Sequence, residues 1–298
     1  MSEDLGRLAT EGRNPATERI DEVSTLEMLR LIHEEDARAV EAVTSELPRI
    51  AAVVDAVAER MAGGGRLFYV GAGTSGRLGV LDASECPPTF GVGPELVQGL
   101  IAGGDSALRR SSEGSEDSRE EGAADLRAIG FAAGDAVVGI AASGRTPYVM
   151  GALECARGLG ALTVALACVK GSAMEGVAEM AISPETGAEA ITGSTRMKAG
   201  TATKLVLNML STGVMVRRGA VYGNQMVNVQ LTNAKLVDRG RRIVAEVVGC
   251  DGEMAGRLLA EAGSVKVAIV MGRSGVGLTE AERRVGLSGG RLREALKG

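Results

Sequence analysis

One repeated pattern constrains the fold of this 298-residue chain more than any other feature. A short apolar segment runs into a loop of small residues, and a helical stretch follows. The segments lie at 66–70, 96–101, 136–141, 162–167 and 180–182. Short apolar strands that alternate with helices are typical of a doubly wound parallel α/β sheet. We therefore predict a five-stranded parallel sheet with ligands at the carboxyl ends of its strands.

The regions around this pattern define the predicted domains. Residues 1–24 are polar and without a clear period, which predicts an N-terminal arm. Residues 25–237 form the predicted sheet domain, with helices at its start and a long apolar helix at 195–218. Residues 238–298 predict a small C-terminal helical domain. Within it, 265–277 fits either a strand with a glycine loop or a helix with a glycine-rich end.

Composition excludes several classes of partner and cofactor. The net charge of −5 excludes a strongly basic nucleic-acid surface, and three Phe, three Tyr and no Trp leave little for base stacking. His33 is the single histidine, expected on a helix surface, and the four cysteines have no CxxC spacing, so we expect no metal and no other cofactor. No apolar run reaches the roughly 18 residues of a membrane span. Free thiols and a polar beginning predict a cytoplasmic protein without a membrane partner.

Two glycine-containing loops carry the strongest chemical signal. The first, Gly71–Gly76, matches GxGxxG, but the next acidic residue after a strand, Asp105, lies well beyond the roughly 20 positions of a dinucleotide site. Hydroxyl groups beside exposed N–H groups suit a compact phosphate ester better. The second loop, Ser143–Thr146, follows the strand at 136–141, so both loops can enclose one phosphate. A structural turn and helix N-capping are the alternatives. The predicted ligand-binding residues are Gly73, Thr74, Ser75, Ser143, Gly144, Arg145 and Thr146.

These loops, with three longer blocks, resemble a known family. The blocks lie at 76–90, 140–149 and 191–204. They are similar to the N-acetylmuramic acid 6-phosphate etherase family, which has a sugar isomerase (SIS) domain, and to its relative, the glucokinase regulatory protein. The match is collinear and covers most of the chain. One departure is Gly187-Ala188-Glu189, where the family usually has Gly-Pro-Glu.

The resemblance implies a reaction and a set of residues. The D-lactyl ether of N-acetylmuramic acid 6-phosphate is expected to be cleaved by elimination and water addition, giving N-acetylglucosamine 6-phosphate and D-lactate. The family further implies a homodimer and a C-terminal domain like the ubiquitin-associated fold. Glu85 matches the expected acid and Glu116 the expected C2 base, while Glu189 and Lys198 are expected to touch the sugar or to fix their loop.

The residues by themselves leave other functions open. Cys86 and Pro87 beside Glu85 favour a desolvated carboxylate, whereas Glu116 stands in a charge run that is typical of a solvated surface. A non-catalytic phosphosugar-binding regulator and a sugar phosphate isomerase on the same fold are the main alternatives. A nicotinamide enzyme is a more distant one. Arg77 and Arg145 fit either an anion contact or surface charge.

Overall fold

The chain forms two compact units. The computed structural model describes residues 11–110 and 114–298. Within them, the first unit contains 11–84, 94–110 and 114–211, and the second contains 85–93 and 212–298. This division follows packing and differs from the limits expected from composition at 24/25 and 237/238. Those domain limits therefore stay a prediction.

The first unit contains the predicted five-stranded parallel sheet. Its strands are β1 (Leu67–Gly71), β2 (Val97–Ile101), β3 (Ala136–Ile140), β4 (Leu162–Leu166) and β5 (Met180–Ile182). Their order is β2-β1-β3-β4-β5, and every neighbouring pair is parallel. The chain therefore adds β2 on one side of β1, and then adds β3, β4 and β5 in turn on the other side. This reversal places a topological switch point between β1 and β3.

Helices cover both faces of the sheet. They are α1 (Thr25–Ala62), α2 (Gly73–Phe90), α3 (Arg119–Ala128), α4 (Pro147–Gly158), α5 (Ala173–Val177) and α6 (Lys198–Arg217). Phe68 and Val70 join the apolar cluster that includes α3 and α4. Tyr69, between them, points to the other face, where its hydroxyl donates to Asp82 of α2 at 3.0 Å. Because both faces are covered, β1, β3 and β4 are buried along their whole length, as their apolar sequences predict.

The first helix is long because its sequence carries both a start signal and an apolar stripe. Ser24 caps α1 by accepting the N–H of Glu27 at 3.3 Å, and Gly63 ends it. One anchor to the sheet is polar: the buried carboxylate of Glu46 accepts the N–H of Ser183, just after β5, at 3.0 Å. This fixes α1 beside the β5 edge.

The second unit is mainly helical. It contains the short antiparallel pair β6 (Val221–Tyr222) and β7 (Gln225–Met226), then α7 (Ala234–Val248), α8 (Gly252–Ala262), α9 (Val265–Ser274), α10 (Leu278–Leu287) and α11 (Leu292–Ala295). Helix α9 resolves the ambiguous segment: it is a helix that ends at Gly275 with φ 66°. Residues 265–271 are all buried, so the helix lacks the polar face that would have identified it. No helix in the described ranges is long and apolar enough to cross a membrane.

Helices α3 and α4 cross in backbone contact, and two glycines make this possible. A Cβ atom on Gly151 would lie 2.0 Å from the Arg119 carbonyl oxygen, and one on Gly122 would lie 1.9 Å from that of Tyr148. Neither position has room for a methyl group. The two backbones must therefore separate if either glycine is replaced.

We expect Gly151→Ala to lower the free energy of unfolding by about 3 kcal/mol, because the added methyl group overpacks this crossing. Gly158→Ala is the matched control in the same helix, since a Cβ there meets nothing within 4 Å. It should change stability by less than about 1 kcal/mol. Urea unfolding followed by circular dichroism measures both, and equal effects would contradict the crossing geometry.

Candidate functional site

A pocket of about 270 Å³ opens where β1 and β3 end, and we call it the switch-point pocket. It is lined by Glu11, Ala72, Gly73, Thr74, Ser75, Glu116, Ile140, Ala141, Ala142, Ser143, Thr146 and Thr195. Gly73, Thr74, Ser75, Ser143, Thr146 and Glu116 were predicted from the sequence, and the structure brings them together here. Gly144, Arg145, Glu85, Glu189 and Lys198 do not line this pocket.

The first loop turns directly from β1 into α2. A Cβ atom on Gly76 would lie 2.7 Å from the Gly71 carbonyl oxygen and 2.6 Å from Ile101 Cγ1. Glycine at this position lets the first turn of α2 rest on the end of β1. The N-terminus of α2 consequently opens into the switch-point pocket at Gly73, Thr74 and Ser75. Unpaired N–H groups and the helix dipole make this end attractive to an anion.

Gly144 shapes the second loop but does not line the pocket. Gly144 has φ 66°, donates its N–H to the Ala141 carbonyl at 2.9 Å and accepts the N–H of Met174 at 3.0 Å. A Cβ atom there would lie 2.3 Å from Ser172 Cβ. The tight turn exposes Ser143 to the pocket. Arg145 is half-buried behind it.

Thr146 connects the second loop to the predicted base. It precedes α4, but its side chain does not cap the helix. Instead its hydroxyl donates to Glu116 Oε1 at 3.4 Å. Glu116 lies in a single 3₁₀ turn, Gly114–Asp117, and is half-buried at the pocket wall. The N-capping alternative for Thr146 is therefore not what the structure shows.

The switch-point pocket combines neutral donors with two carboxylates. Within the described residues, the hydroxyls of Thr74, Ser75 and Ser143 make no hydrogen bond to protein groups, and no Arg or Lys lines the walls. Hydroxyls and a helix N-terminus bind an anion without a formal cation. Carboxylates bind sugar hydroxyls and transfer protons. The arrangement suits a phosphorylated polyol whose carbon chain passes Glu116.

Glu189 and Lys198 are buried and do not line the pocket. Glu189 is fully buried, and its carboxylate accepts the N–H groups of Lys198 at 2.8 Å and Ala199 at 3.0 Å. Burial raises the pKa of Glu189, although these two hydrogen bonds oppose the shift. Glu189 thus caps the start of α6. Of the two expectations for this pair, its contacts favour fixing the loop over touching a sugar.

Lys198 joins α6 to the N-terminal segment through Glu35. Its ammonium pairs with the Glu35 carboxylate, which also accepts a hydrogen bond from Asn14 Nδ2 at 2.7 Å and forms an ion pair with Arg38 at 3.0 Å. Asn14 also donates to the Ala188 carbonyl at 3.2 Å. Burial alone would raise the pKa of Glu35, but the hydrogen bonds from Lys198 and Asn14 outweigh it and the pKa is lowered. We call Glu35, Lys198 and Asn14 the buried polar network.

Glu85 is exposed on α2 and belongs to the second unit. The expectation of a desolvated carboxylate is wrong for this chain. Cys86 beside it is buried, but adjacent residues leave a helix about 100° apart, so an apolar neighbour in sequence does not bury Glu85. Arg77 donates to the carbonyls of Leu108 at 3.1 Å and Ala107 at 2.7 Å, so it holds the loop after β2.

Two polar lining residues, Glu11 and Thr195, were not predicted as part of the site. Glu11 belongs to the predicted N-terminal arm, and no periodicity or motif marks it there. Thr195 lies within the third block of the resemblance. His33 is exposed on α1, as expected.

Comparisons with known proteins agree with the fold and with the family resemblance. Residues 49–157 match the family model for the glucokinase regulatory protein N-terminal SIS domain. N-acetylmuramic acid 6-phosphate etherases from Escherichia fergusonii and Escherichia coli O157:H7 are each 55% identical over 293 residues, covering 98% of both chains. A solved Bacteroides fragilis structure, described as a phosphosugar isomerase involved in capsule formation, superposes with a TM-score of 0.50 at 17% identity. It covers 67% of this chain and 95% of the other, and it supports the fold.

We expect Lys198→Met to lower the free energy of unfolding by about 3 kcal/mol, because it leaves the buried Glu35 charge without its main partner. Lys170→Met is the matched control, since the Lys170–Glu185 pair is half exposed on both sides and should contribute less than about 1 kcal/mol. Chemical denaturation of both variants provides the comparison. Similar losses would show that burial of the ion pair does not matter.

The same pair has a pH signature. The folded-state pKa of Glu35 is lowered from its ordinary value of 4.5, so its stabilising contribution is present above that value. It is lost as the pH falls through the lowered folded-state pKa. The stability difference between wild type and Lys198→Met should therefore shrink in acid.

Proposed function

Because the chain belongs to the N-acetylmuramic acid 6-phosphate etherase family, we propose that it cleaves the D-lactyl ether of N-acetylmuramic acid 6-phosphate. The products are N-acetylglucosamine 6-phosphate and D-lactate, and the enzyme is a carbon–oxygen lyase. One observation carries the proposal beyond the family name. The Glu116 carboxylate shares a pocket with the hydroxyl donors of both loops, at the switch point of the sheet.

The phosphate group gives the substrate its position in this mechanism. It binds at the N-terminus of α2, with Thr74 and Ser75 on one side and Ser143 and Thr146 on the other. Neutral donors can hold a dianion here because the helix end supplies positive potential. Gly73 and Gly144 keep both loops tight, and Arg145 supports the second loop. We retain Glu189 and Lys198 as residues that position the start of α6 beside the sugar.

The chemistry begins at the carbon next to the aldehyde of the open-chain sugar. The aldehyde acidifies the C2 proton, and Glu116 removes it as a general base. The electron pair forms the C2–C3 double bond as the C3–O bond breaks, and the lactyl oxygen leaves with a proton from the acid. Water then adds to C3 and a proton returns to C2. This sequence needs neither a metal nor an organic cofactor.

We assign Glu85 as the acid that protonates the departing lactyl oxygen. Support comes from its place in the Ala-Ser-Glu-Cys-Pro-Pro block and from its exposure, which leaves the carboxylate accessible to a ligand.

A homodimer in the cytoplasm completes the proposal. Exposed apolar side chains lie on the two long helices, including Leu26 and Leu29 on α1 and Met209 and Val216 on α6. Such side chains are typical of surfaces that bury against a second copy. Nucleic acid and membrane are not proposed as partners.

The two alternatives make different products. A phosphosugar-binding regulator would bind the ligand and release no lactate, whereas an isomerase on the same fold would exchange the C2 proton and yield a ketose. Glu116 beside the phosphate donors favours catalysis over binding alone. The D-lactate assay separates the etherase from both alternatives, and an assay for the ketose separates the isomerase from the regulator.

We expect Glu116→Gln and Glu85→Gln each to reduce the rate of D-lactate release by at least about 100-fold, because each removes one proton-transfer group. Glu120→Gln is the control, since Glu120 is exposed in the same acidic segment and lies outside the pocket. It should retain nearly the full rate. Enzymatic measurement of D-lactate with purified variants tests this, and full turnover by Glu116→Gln would refute the assignment of the base.

Elimination followed by water addition also predicts where solvent oxygen goes. In ¹⁸O-labelled water the label should enter the sugar at C3 and not the lactate, because the bond to the lactyl oxygen breaks on the sugar side. Mass spectrometry of both products gives the answer. Label in the lactate alone would exclude this mechanism.

A further inference from the structure

A second pocket adjoins the switch-point pocket, and we call it the lateral pocket. It has a volume of about 300 Å³ and is lined by Thr74, Leu78, Arg196, Gly200, Thr201, Lys204 and Leu205. Thr74 lines both pockets. The consecutive residues Thr195 and Arg196 line one pocket each. The two spaces are therefore neighbours on the same side of the first unit.

Small side chains bring α6 against the first turn of α2 at this point. The Thr74 methyl carbon, Cγ2, would lie 3.7 Å from a Cβ atom on Gly200, an ordinary contact distance. Thr74 thus meets α6 where its sequence has no side chain. A ligand held at Thr74 and Ser75 has the lateral pocket directly beside it.

The lateral pocket carries two positive charges. Arg196 and Lys204 are both exposed, and neither forms an ion pair with a carboxylate in the described ranges. Lys204 interacts electrostatically with the carboxylate of Asp82, which is buried. Asp82 accepts hydrogen bonds from Tyr69 at 3.0 Å, Asn208 at 2.8 Å and Ser211 at 3.2 Å. Because Asp82 already has these three partners, Lys204 remains available to a ligand, and Arg196 is accessible because it is exposed.

The proposed substrate carries two different anionic groups, and the two pockets differ in the groups they offer to an anion. Phosphate stands at C6, whereas the lactyl group at C3 carries a carboxylate and a methyl group. The switch-point pocket offers hydroxyls and a helix end but no cation among the described residues. The lateral pocket offers an Arg, a Lys and the apolar side chains of Leu78 and Leu205. Each end of the substrate thus has a chemical match.

We propose that Arg196 and Lys204 bind the lactyl carboxylate while Leu78 and Leu205 receive the lactyl methyl group. This assignment rests on the proposed function, and it adds the residues that tell the substrate from the product. N-acetylglucosamine 6-phosphate lacks the lactyl group and gains nothing from the lateral pocket. Binding there also holds the ether oxygen in a fixed place relative to the phosphate.

Equilibrium binding in a Glu116→Gln background tests the proposal without turnover. Adding Arg196→Gln or Lys204→Gln should weaken binding of N-acetylmuramic acid 6-phosphate by about tenfold or more, because a charge-assisted hydrogen bond is lost. Binding of N-acetylglucosamine 6-phosphate should change by less than about twofold. Arg127→Gln, an exposed Arg outside both pockets, is the control and should alter neither affinity. Isothermal titration calorimetry measures all of these.

A modified ligand gives an independent arm. Conversion of the lactyl carboxylate to its primary amide should weaken binding about tenfold when Arg196 and Lys204 are intact, and have little further effect in the double variant. Equal weakening of both sugar phosphates, or no weakening of either, would overturn the proposal. Failure of the wild-type chain to release D-lactate would instead overturn the proposed function, and the two results are distinguishable.

Discussion

The close contact between the end of β1 and the first turn of α2 is the constraint on which the site depends. Gly76 permits it, because any side chain at that position would strike the Gly71 carbonyl and Ile101. This contact places the start of α2 at the edge of the sheet, where the second loop also ends. Without it the hydroxyls of Thr74 and Ser143 would not face one space. A pocket that combines hydroxyls with a helix N-terminus, and has no cation in its described walls, follows from this backbone arrangement.

The sequence predicted the sheet well because its strands are buried on both faces. Continuous apolar runs such as 136–141 then stand out between polar helices. The same reasoning failed for α9, whose apolar run is also buried all round and has no helical period to read. Length and flanking glycines cannot separate the two cases. Tertiary packing decides, and a single sequence does not show it.

The site residues that follow directly after strands could be predicted from the sequence, whereas the carboxylates could not. The loop hydroxyls follow strand ends, so Ser143 and Thr146 could be placed from sequence. Glu116 needed the family resemblance, because a carboxylate in an acidic run has no distinguishing mark. Glu35 was missed because its partners Asn14 and Lys198 are distant in sequence, and Glu11 because no motif marks its own segment. Glu85 shows the reverse error, since apolar neighbours along the chain did not make it buried.

The buried polar network binds the N-terminal segment to α1 and to the stretch before α6. Asn14 reaches both Glu35 and the Ala188 carbonyl, and Thr17 donates to the Ala190 carbonyl at 2.8 Å. The segment ahead of α1 therefore lies across the stretch that leads into α6, and Glu11 in that segment lines the switch-point pocket. Shortening the chain past Asn14 would remove Glu11 from the wall of the switch-point pocket and Asn14 from the buried polar network. A fusion or a trimmed N-terminus of this protein would therefore alter the wall of the switch-point pocket.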